Sequence, residues 1–170
     1  LFDSYSFHCM LYIEMEEVQE QSDQPPPSVT IDGVNEDCHA WLLQCTHKAL
    51  QCVQKKDSEL SVLLVTDEEM SELHLKHSGI EGTTDVLTFD LGSNEQTVLA
   101  DIAICVDVAA REATVRNHSI QEELLLYIVH GMLHCCGFDD HDEIHHQRMH
   151  AEEDRILTEI GIGSVWSNSQ

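Results

Sequence analysis

Two histidines four residues apart carry the clearest chemical signal in the sequence. His130 and His134 lie in the segment HGMLHCCGFDD, which spans residues 130–140. On a helix, residues at this spacing stack on one face, so both imidazoles can reach a single metal ion. Gly137 permits a left-handed turn that ends the helix and brings the chain back toward the two rings. The pattern predicts a metal site in which His130 and His134 are ligands and also the residues at the centre of catalysis.

A third ligand is expected just after the glycine turn, where two residues compete. The register after Gly137 favours Asp140, whose carboxylate oxygen is an acceptable zinc ligand. His141 follows directly and offers imidazole, the commoner ligand type. Three protein ligands leave one position for water, as in catalytic zinc sites. We therefore predict one Zn²⁺ ion bound by the two histidines and Asp140, with His141 as the alternative third ligand.

The residue after the first histidine argues against one common class of zinc hydrolase. In the H-E-x-x-H pattern of metallopeptidases, a glutamate at this place acts as general base. Here the residue is Gly131. A zinc metallopeptidase-like hydrolase therefore remains only an alternative function.

A second group of histidines follows. His141 with His145, and His146 with His150, are further pairs at a spacing of four residues. Either pair could bind metal weakly. They alternate with acidic residues such as Glu153, and this mixture is typical of a solvated helix face, which is the interpretation that we prefer.

Helices and strands must position these side chains. Strongly apolar stretches of four to eight residues indicate strands, and apolar residues at helical spacing between them indicate helices. The mixture predicts a single α+β (α/β layered) domain, with a small mixed sheet backed by helices and the metal site at the end of a central helix. The predicted strands are 28–31, 60–65, 85–91 and 98–105, and the predicted helices are 36–54, 67–77, 108–115, 120–136 and 143–160.

Helix starts are marked by short polar motifs. Thr66 with Glu69, and Ser119 with Glu122, have the spacing of capping boxes. Asp107 is expected to cap the helix between them.

The chain is predicted to have three parts. Residues 1–28 are acidic and end in a proline run, which indicates a flexible N-terminal extension. Residues 29–160 form the predicted metal-dependent hydrolase domain, and residues 161–170 a C-terminal tail.

Composition narrows the class of partner. The formal net charge is −24, which argues against loose, charge-driven binding to nucleic acid and against DNA as a partner. No apolar run approaches the roughly 18 residues that a membrane span requires, so no membrane partner is expected. Seven cysteines, an odd number, with no visible secretion signal favour a cytoplasmic location.

The segment that starts at His130 resembles the signature of the YbeY family, the bacterial rRNA maturation endoribonucleases, which is similar to H-G-x-L-H-L-x-G-Y-D-H. Two upstream stretches are similar as well. TDVLTF at residues 84–89 resembles the family's T-D-V-L-S-F strand, and DIAI at residues 101–104 resembles its G-D-I-x-I strand. The likeness covers about residues 29–160.

This resemblance implies a zinc-dependent endoribonuclease specific for single-stranded RNA, acting in rRNA maturation, ribosome assembly and quality control. It implies rRNA, or the small ribosomal subunit with its associated proteins, as the partner. The alternative from another class is a non-catalytic ribosome-assembly factor in which the metal is only structural.

The chain departs from the family's pattern at three places. The family's third histidine falls on Asp140, and the glycine before Asp-Ile is Ala100. An arginine that family members often carry before the first strand motif, thought to help hold RNA phosphate, is missing near Ser78. Three basic residues are candidates to replace it, although an ordinary surface charge is the interpretation that we prefer for each: Lys76, Arg111 and Arg116.

Overall fold

The structure is a computed structural model and describes residues 27–55 and 57–166. The predicted N-terminal extension lies outside the described residues up to residue 26, and the last four residues of the predicted tail lie outside them as well. Within the described part of the chain, no helix is both long and apolar enough to cross a membrane.

The helices and strands alternate along the described chain. In order they are β1 (Ser28–Asp32), α1 (Glu36–Cys52), β2 (Glu59–Val65), α2 (Asp67–Ser78), β3 (Val86–Asp90), β4 (Leu99–Cys105), α3 (Val106–Arg116), α4 (Ile120–Cys135) and α5 (Glu143–Glu159).

The four strands form one mixed sheet in the order β1-β2-β4-β3. β1, β2 and β4 run parallel, and β3 pairs antiparallel with β4 at one edge. Alternate residues of β4 face opposite sides, as strand geometry requires. Ile102 and Ile104 enter the main core with α1, α4 and α5, whereas Ala103 packs with Met70 of α2 on the other face. The predicted α+β domain with a small mixed sheet backed by helices is confirmed.

The central helix, α4, is buried along most of its length. It packs on β3 and β4 and contacts α1, α3 and α5. Its capping box is present: the Ser119 hydroxyl accepts from the Glu122 amide at 3.2 Å, and a Glu122 carboxylate oxygen accepts from the Ser119 amide at 2.7 Å. The helix ends at Cys135, and Gly137 takes the expected left-handed turn at φ +89°.

One helix start differs from the prediction. α3 begins directly at the end of β4, so its N-cap is Cys105, which forms no side-chain cap bond. Asp107 therefore lies inside the first turn of α3 and does not cap it. Its carboxylate accepts from the backbone amide of Asp67 at 2.8 Å and so stabilises the start of α2. The prediction that Asp107 caps its own helix was wrong because no turn separates β4 from α3.

Candidate metal centre

Three donor groups converge where α4 ends. The Nε2 atoms of His130 and His134 lie 2.9 Å apart. Asp140 Oδ2 lies 3.8 Å from Nε2 of His130, and Asp140 Oδ1 lies 3.9 Å from Nε2 of His134. Donor atoms on a tetrahedral zinc ion are separated by roughly 3.3 Å, given metal–nitrogen distances of about 2.0–2.1 Å. The three groups are therefore close to the spacing at which one ion can be bound by all of them.

Both imidazoles are turned so that Nε2 faces the common point. His134 donates its Nδ1 hydrogen to the Phe138 carbonyl at 3.2 Å, and His130 donates its own to Glu153 Oε1 at 2.7 Å. Because a carbonyl and an ionised carboxylate can only accept, Nδ1 of each ring carries the hydrogen. The Nε2 lone pairs are then available to a metal, as in many histidine-ligated metal sites.

Glu153 of α5 is completely buried, at 0% exposure. Its Oε2 accepts from His150 Nδ1 at 2.8 Å and from the Trp166 indole at 2.5 Å. Burial opposes ionisation, but the hydrogen bonds from His130 and His150 outweigh it and hold the pKa of Glu153 below its ordinary value. Glu153 is therefore an ionised, fully bonded carboxylate behind the His130 ring.

The interpretation of residues 141–154 as a solvated helix face was wrong for part of α5. Glu153 and Met149 are fully buried, and the His150 side chain is 19% exposed. The many charged residues of α5 did not indicate which side chains are buried, because a helix that packs through a narrow stripe keeps most of its surface in water. Sequence reasoning placed Glu153 on a solvated face and did not single out Trp166. The position of Glu153 three residues after His150 was the available signal.

The two imidazoles differ in proton affinity. Burial opposes protonation of His130, but the hydrogen bond and charge of Glu153, with the charge of Asp140, raise its pKa above the ordinary value. Burial and the positive charge on His130 lower the pKa of His134. Two rings with Nε2 atoms 2.9 Å apart cannot both hold a proton there at low cost, so at most one of them is protonated at Nε2.

The two candidate third ligands lie in different surroundings. Asp140 joins His130 and His134 in one group of donor atoms that all lie within 4.8 Å of one another. His141 points away: its side chain is 87% exposed and lies 3.4 Å from Asp139. It belongs to a different donor group, with Asp139 and Asp140.

A cleft of about 590 Å³ opens over the three donors. Its lining includes Val86 and Thr88 of the edge strand β3, His146 and His150 of α5, and Trp166. Asp85 and Arg116 also line the cleft. The cleft is large enough to hold part of an extended chain beside the metal-binding atoms.

Gly131 faces the sheet and not the metal-binding group. A Cβ atom at this position would lie 2.6 Å from the Thr88 hydroxyl and 2.8 Å from Ile102 Cδ1. Such contacts are too short, so a glutamate would displace α4 from the sheet. The position therefore cannot supply the peptidase type of general base with the helix in its present place.

The three basic candidates lie in different surroundings. Arg116 lines the cleft, is paired with the buried Glu123 and lies over the Trp166 ring at 4.4 Å. Arg111 pairs with Asp67 at 2.7 Å, near the start of α2. Lys76 lies in the last turn of α2 and is exposed. Arg116 is thus the candidate that lines the cleft, although its charge is already neutralised by Glu123.

Comparisons with known proteins identify the family of this chain. Residues 28–161 match the family model described as "Endoribonuclease YbeY". A protein of that name from Heliobacterium modesticaldum is 34% identical over 146 residues, covering 75% of this chain and 88% of its own length. Another from Thermobifida fusca is 38% identical over 109 residues, covering 59% of this chain and 70% of its own length.

A solved structure supports the fold independently. The solution structure of TM1509 from Thermotoga maritima matches with a TM-score of 0.55 at 23% identity, covering 77% of this chain and 90% of that one. At this level of identity the match is evidence of a shared fold. The family match and the identities above carry the assignment, and they confirm the resemblance seen in the sequence: the chain belongs to the YbeY endoribonuclease family.

Proposed function

We propose that this protein is a zinc-dependent endoribonuclease that cleaves single-stranded RNA in the cytoplasm, in rRNA maturation, ribosome assembly and quality control. Membership of an endoribonuclease family supports the reaction class. The observation that carries the metal dependence is the convergence of His130, His134 and Asp140 on one point at the floor of an open cleft.

The donor set fits zinc. Two neutral imidazoles and one carboxylate are ligands that Zn²⁺ accepts, and three protein ligands leave a position for water or substrate. Held by His130, His134 and Asp140, a zinc ion would supply Lewis acidity, which would polarise a phosphate oxygen and make water more acidic. The peptidase alternative is disfavoured by the packing of Gly131 against the sheet. A purely structural metal is disfavoured by the open cleft above the donors.

The chain's own residues would prepare the site for this chemistry. Glu153 fixes the ring of His130 and delivers its Nε2 lone pair, while the Phe138 carbonyl does the same for His134. Because each ring is held by a hydrogen bond to a fixed acceptor, the buried Glu153 for His130 and the partly buried Phe138 for His134, little reorganisation is needed when substrate arrives.

A proton acceptor is needed close to the reacting water. Asp139 and His141 lie outside the lining of the cleft, whereas Asp85 lies in it. One oxygen of Asp85 accepts from the Val86 amide at 2.9 Å and from the Thr84 hydroxyl at 3.0 Å. These bonds fix its carboxylate at the cleft wall, and we propose it as the general base.

An Asp85→Asn variant tests this role. The amide keeps the shape and can still accept both hydrogen bonds, but it cannot take up a proton. We expect kcat to fall by about 10²–10⁴-fold, the usual contribution of a positioned base, with unchanged zinc content. A variant with full activity would remove Asp85 from the mechanism and leave the metal assignment intact.

The acidic surface shapes the expected substrate. A net charge of −24 opposes contact with bare phosphate backbones. We therefore propose rRNA within the small ribosomal subunit as the substrate, where ribosomal proteins and Mg²⁺ supply positive charge. Weak activity on naked RNA, and stronger activity on ribosomal particles, is the expected result.

Metal analysis combined with RNA cleavage tests the function. We expect His130→Ala and Asp140→Ala to lose the zinc bound at the α4 site together with cleavage of single-stranded RNA, and His141→Ala to retain both. His141→Ala is the matched control, because it removes an exposed neighbour. Cleavage that survives His130→Ala, or zinc lost only in His141→Ala, would overturn the proposed site.

A further inference from the structure

A second pair of imidazoles lines the same cleft. The Nε2 atoms of His146 and His150 on α5 lie 2.8 Å apart, and their rings meet edge to face with centroids 4.0 Å apart. The pair on α4 has nearly the same arrangement, with 2.9 Å between Nε2 atoms and 4.5 Å between centroids. The two pairs therefore offer similar two-nitrogen sets to the cleft.

Two contacts hold the ring of His150 in position. Its Nδ1 donates to Glu153 Oε2 at 2.8 Å, and its ring lies 3.8 Å from the Trp166 ring, centroid to centroid. The hydrogen is thus on Nδ1 and the Nε2 lone pair faces His146. A carboxylate behind a histidine fixes the ring and strengthens its nitrogen as a donor.

Glu153 links the two pairs. One of its oxygens binds the Nδ1 of His130 and the other binds the Nδ1 of His150. A single buried negative charge thus orients one histidine of each pair.

His146 provides the accessible side. It is exposed and lies in the first half of α5. With its hydrogen on the Nδ1 atom, its Nε2 lone pair joins that of His150. An ion can then enter from the cleft and keep its remaining positions for water or another ligand.

We propose that His146 and His150 form a second site for a divalent transition-metal ion such as Zn²⁺, on the wall of the cleft. Imidazole suits zinc, copper and nickel, whereas Mg²⁺ prefers oxygen. If the proposed ribonuclease function holds, this ion is an anchor for a substrate phosphate. It adds positive charge to the cleft of a strongly acidic protein, where Arg116 is already neutralised by Glu123.

Metal stoichiometry gives the first test. Tag-free protein is equilibrated with Zn²⁺, and bound metal is counted. We expect two equivalents for the unaltered chain, one for His146→Ala, one for His130→Ala and none for the double variant. His145→Ala is the matched control, because it removes an exposed histidine from the same turn of α5, and it should bind two. Two equivalents retained by His146→Ala would overturn the site.

Trp166 gives a local readout. Because its ring lies against His150, Ni²⁺ or Cu²⁺ bound at the second site should quench its fluorescence. A Trp166→Phe variant identifies the signal that comes from Trp166 and not from Trp41. Quenching should persist in His130→Ala and disappear in His146→Ala. Quenching that persists in His146→Ala would contradict the proposal.

The anchoring role is tested separately by kinetics. We expect His146→Ala to raise KM for single-stranded RNA about tenfold, equivalent to about 1.4 kcal/mol, with little change in kcat. An unchanged KM with one zinc equivalent lost would overturn the anchor but not the site. If no variant and not even the unaltered chain cleaves RNA, the proposed function fails while the metal count still decides on the site.

Discussion

The two helices that carry the histidine pairs are built in opposite ways. In α4, most residues from Glu123 to Cys135 are buried, and its pair faces the one open side. In α5, four of its 17 residues are buried, and its pair lies on a mostly exposed surface. Yet the exposed helix supplies Glu153, the buried charge that orients a ring on each helix. The two candidate histidine ligands therefore come from a mostly buried helix, whereas the carboxylate that orients one of them comes from a mostly exposed helix.

The largest effect is expected from the histidine pair of α4. His134→Ala should abolish RNA cleavage and sharply weaken zinc binding at the α4 site, because it removes one of the three proposed ligands of that site. On α5, Arg148→Ala should leave zinc binding and RNA cleavage unchanged, since Arg148 is exposed and lines a separate small pocket. Zinc content and cleavage rates measured on both variants check the difference. Equal losses would show that α5 is as critical as α4.

The next effect is expected from the group that joins the helices. Glu153→Gln keeps the shape but removes the charge, so the ring of His130 is held less firmly. We expect zinc affinity at the α4 site to fall about 10–100-fold, which is typical when such a carboxylate is lost. Competition with a chelator measures the affinity. Glu152→Gln is the control, because Glu152 pairs with Arg155 at 2.7 Å instead of with a ring. If Glu153→Gln keeps the zinc affinity of the unaltered chain, Glu153 does not contribute to metal binding at the α4 site.

A smaller effect is expected from the packing of α4. Alanine normally favours a helix over glycine by about 1 kcal/mol, but at Gly131 the added methyl meets Thr88 and Ile102. We expect Gly131→Ala to lower the free energy of unfolding by about 1–3 kcal/mol. At the exposed Ala151 of α5, the reverse change to glycine should cost about 1 kcal/mol through helix propensity alone. Denaturant unfolding of both variants gives the values. A higher free energy of unfolding in Gly131→Ala would show that Thr88 and Ile102 can move to accommodate the added methyl group.

The smallest difference between the helices is expected at their starts. Ser119 caps α4 and Asp142 caps α5, each by accepting from backbone amides of the first turn. Replacement of either by alanine should cost about 1 kcal/mol, because a cap bonds the same exposed groups whatever the helix buries later. Thermal unfolding measures both. A loss of stability in Ser119→Ala but not in Asp142→Ala would show that the stability of α5 does not depend on its first turn.

The sequence predicts the bounds of α4 and α5 equally well, but it does not predict which face of α5 is buried. Helical spacing, the capping box at Ser119 and the stop at Gly137 are local signals, and the structure contains all three. The bounds of every described helix and strand lie within two residues of the predicted ones. Local sequence carries this information because caps, turns and apolar spacing act over a few residues.

Contacts between residues that are distant in the sequence could not be predicted. Nothing near Glu153 indicates that it meets His130, because the partners are 23 residues apart and belong to different helices. The role of Gly131 as a packing contact against Thr88 was hidden for the same reason. The third ligand could be narrowed only to Asp140 or His141, since one residue of register after a glycine turn decides which side chain points inward.

The compact origin of the donor set bears on the order of events during folding. His130, His134 and Asp140 lie within eleven consecutive residues, so closing that loop costs little chain entropy. Only the bond to Glu153 requires α5 to dock. We expect the three donors to come together as soon as α4 and its glycine turn form. The arrival of the C-terminal helix then converts a loose set of side chains into a rigid one.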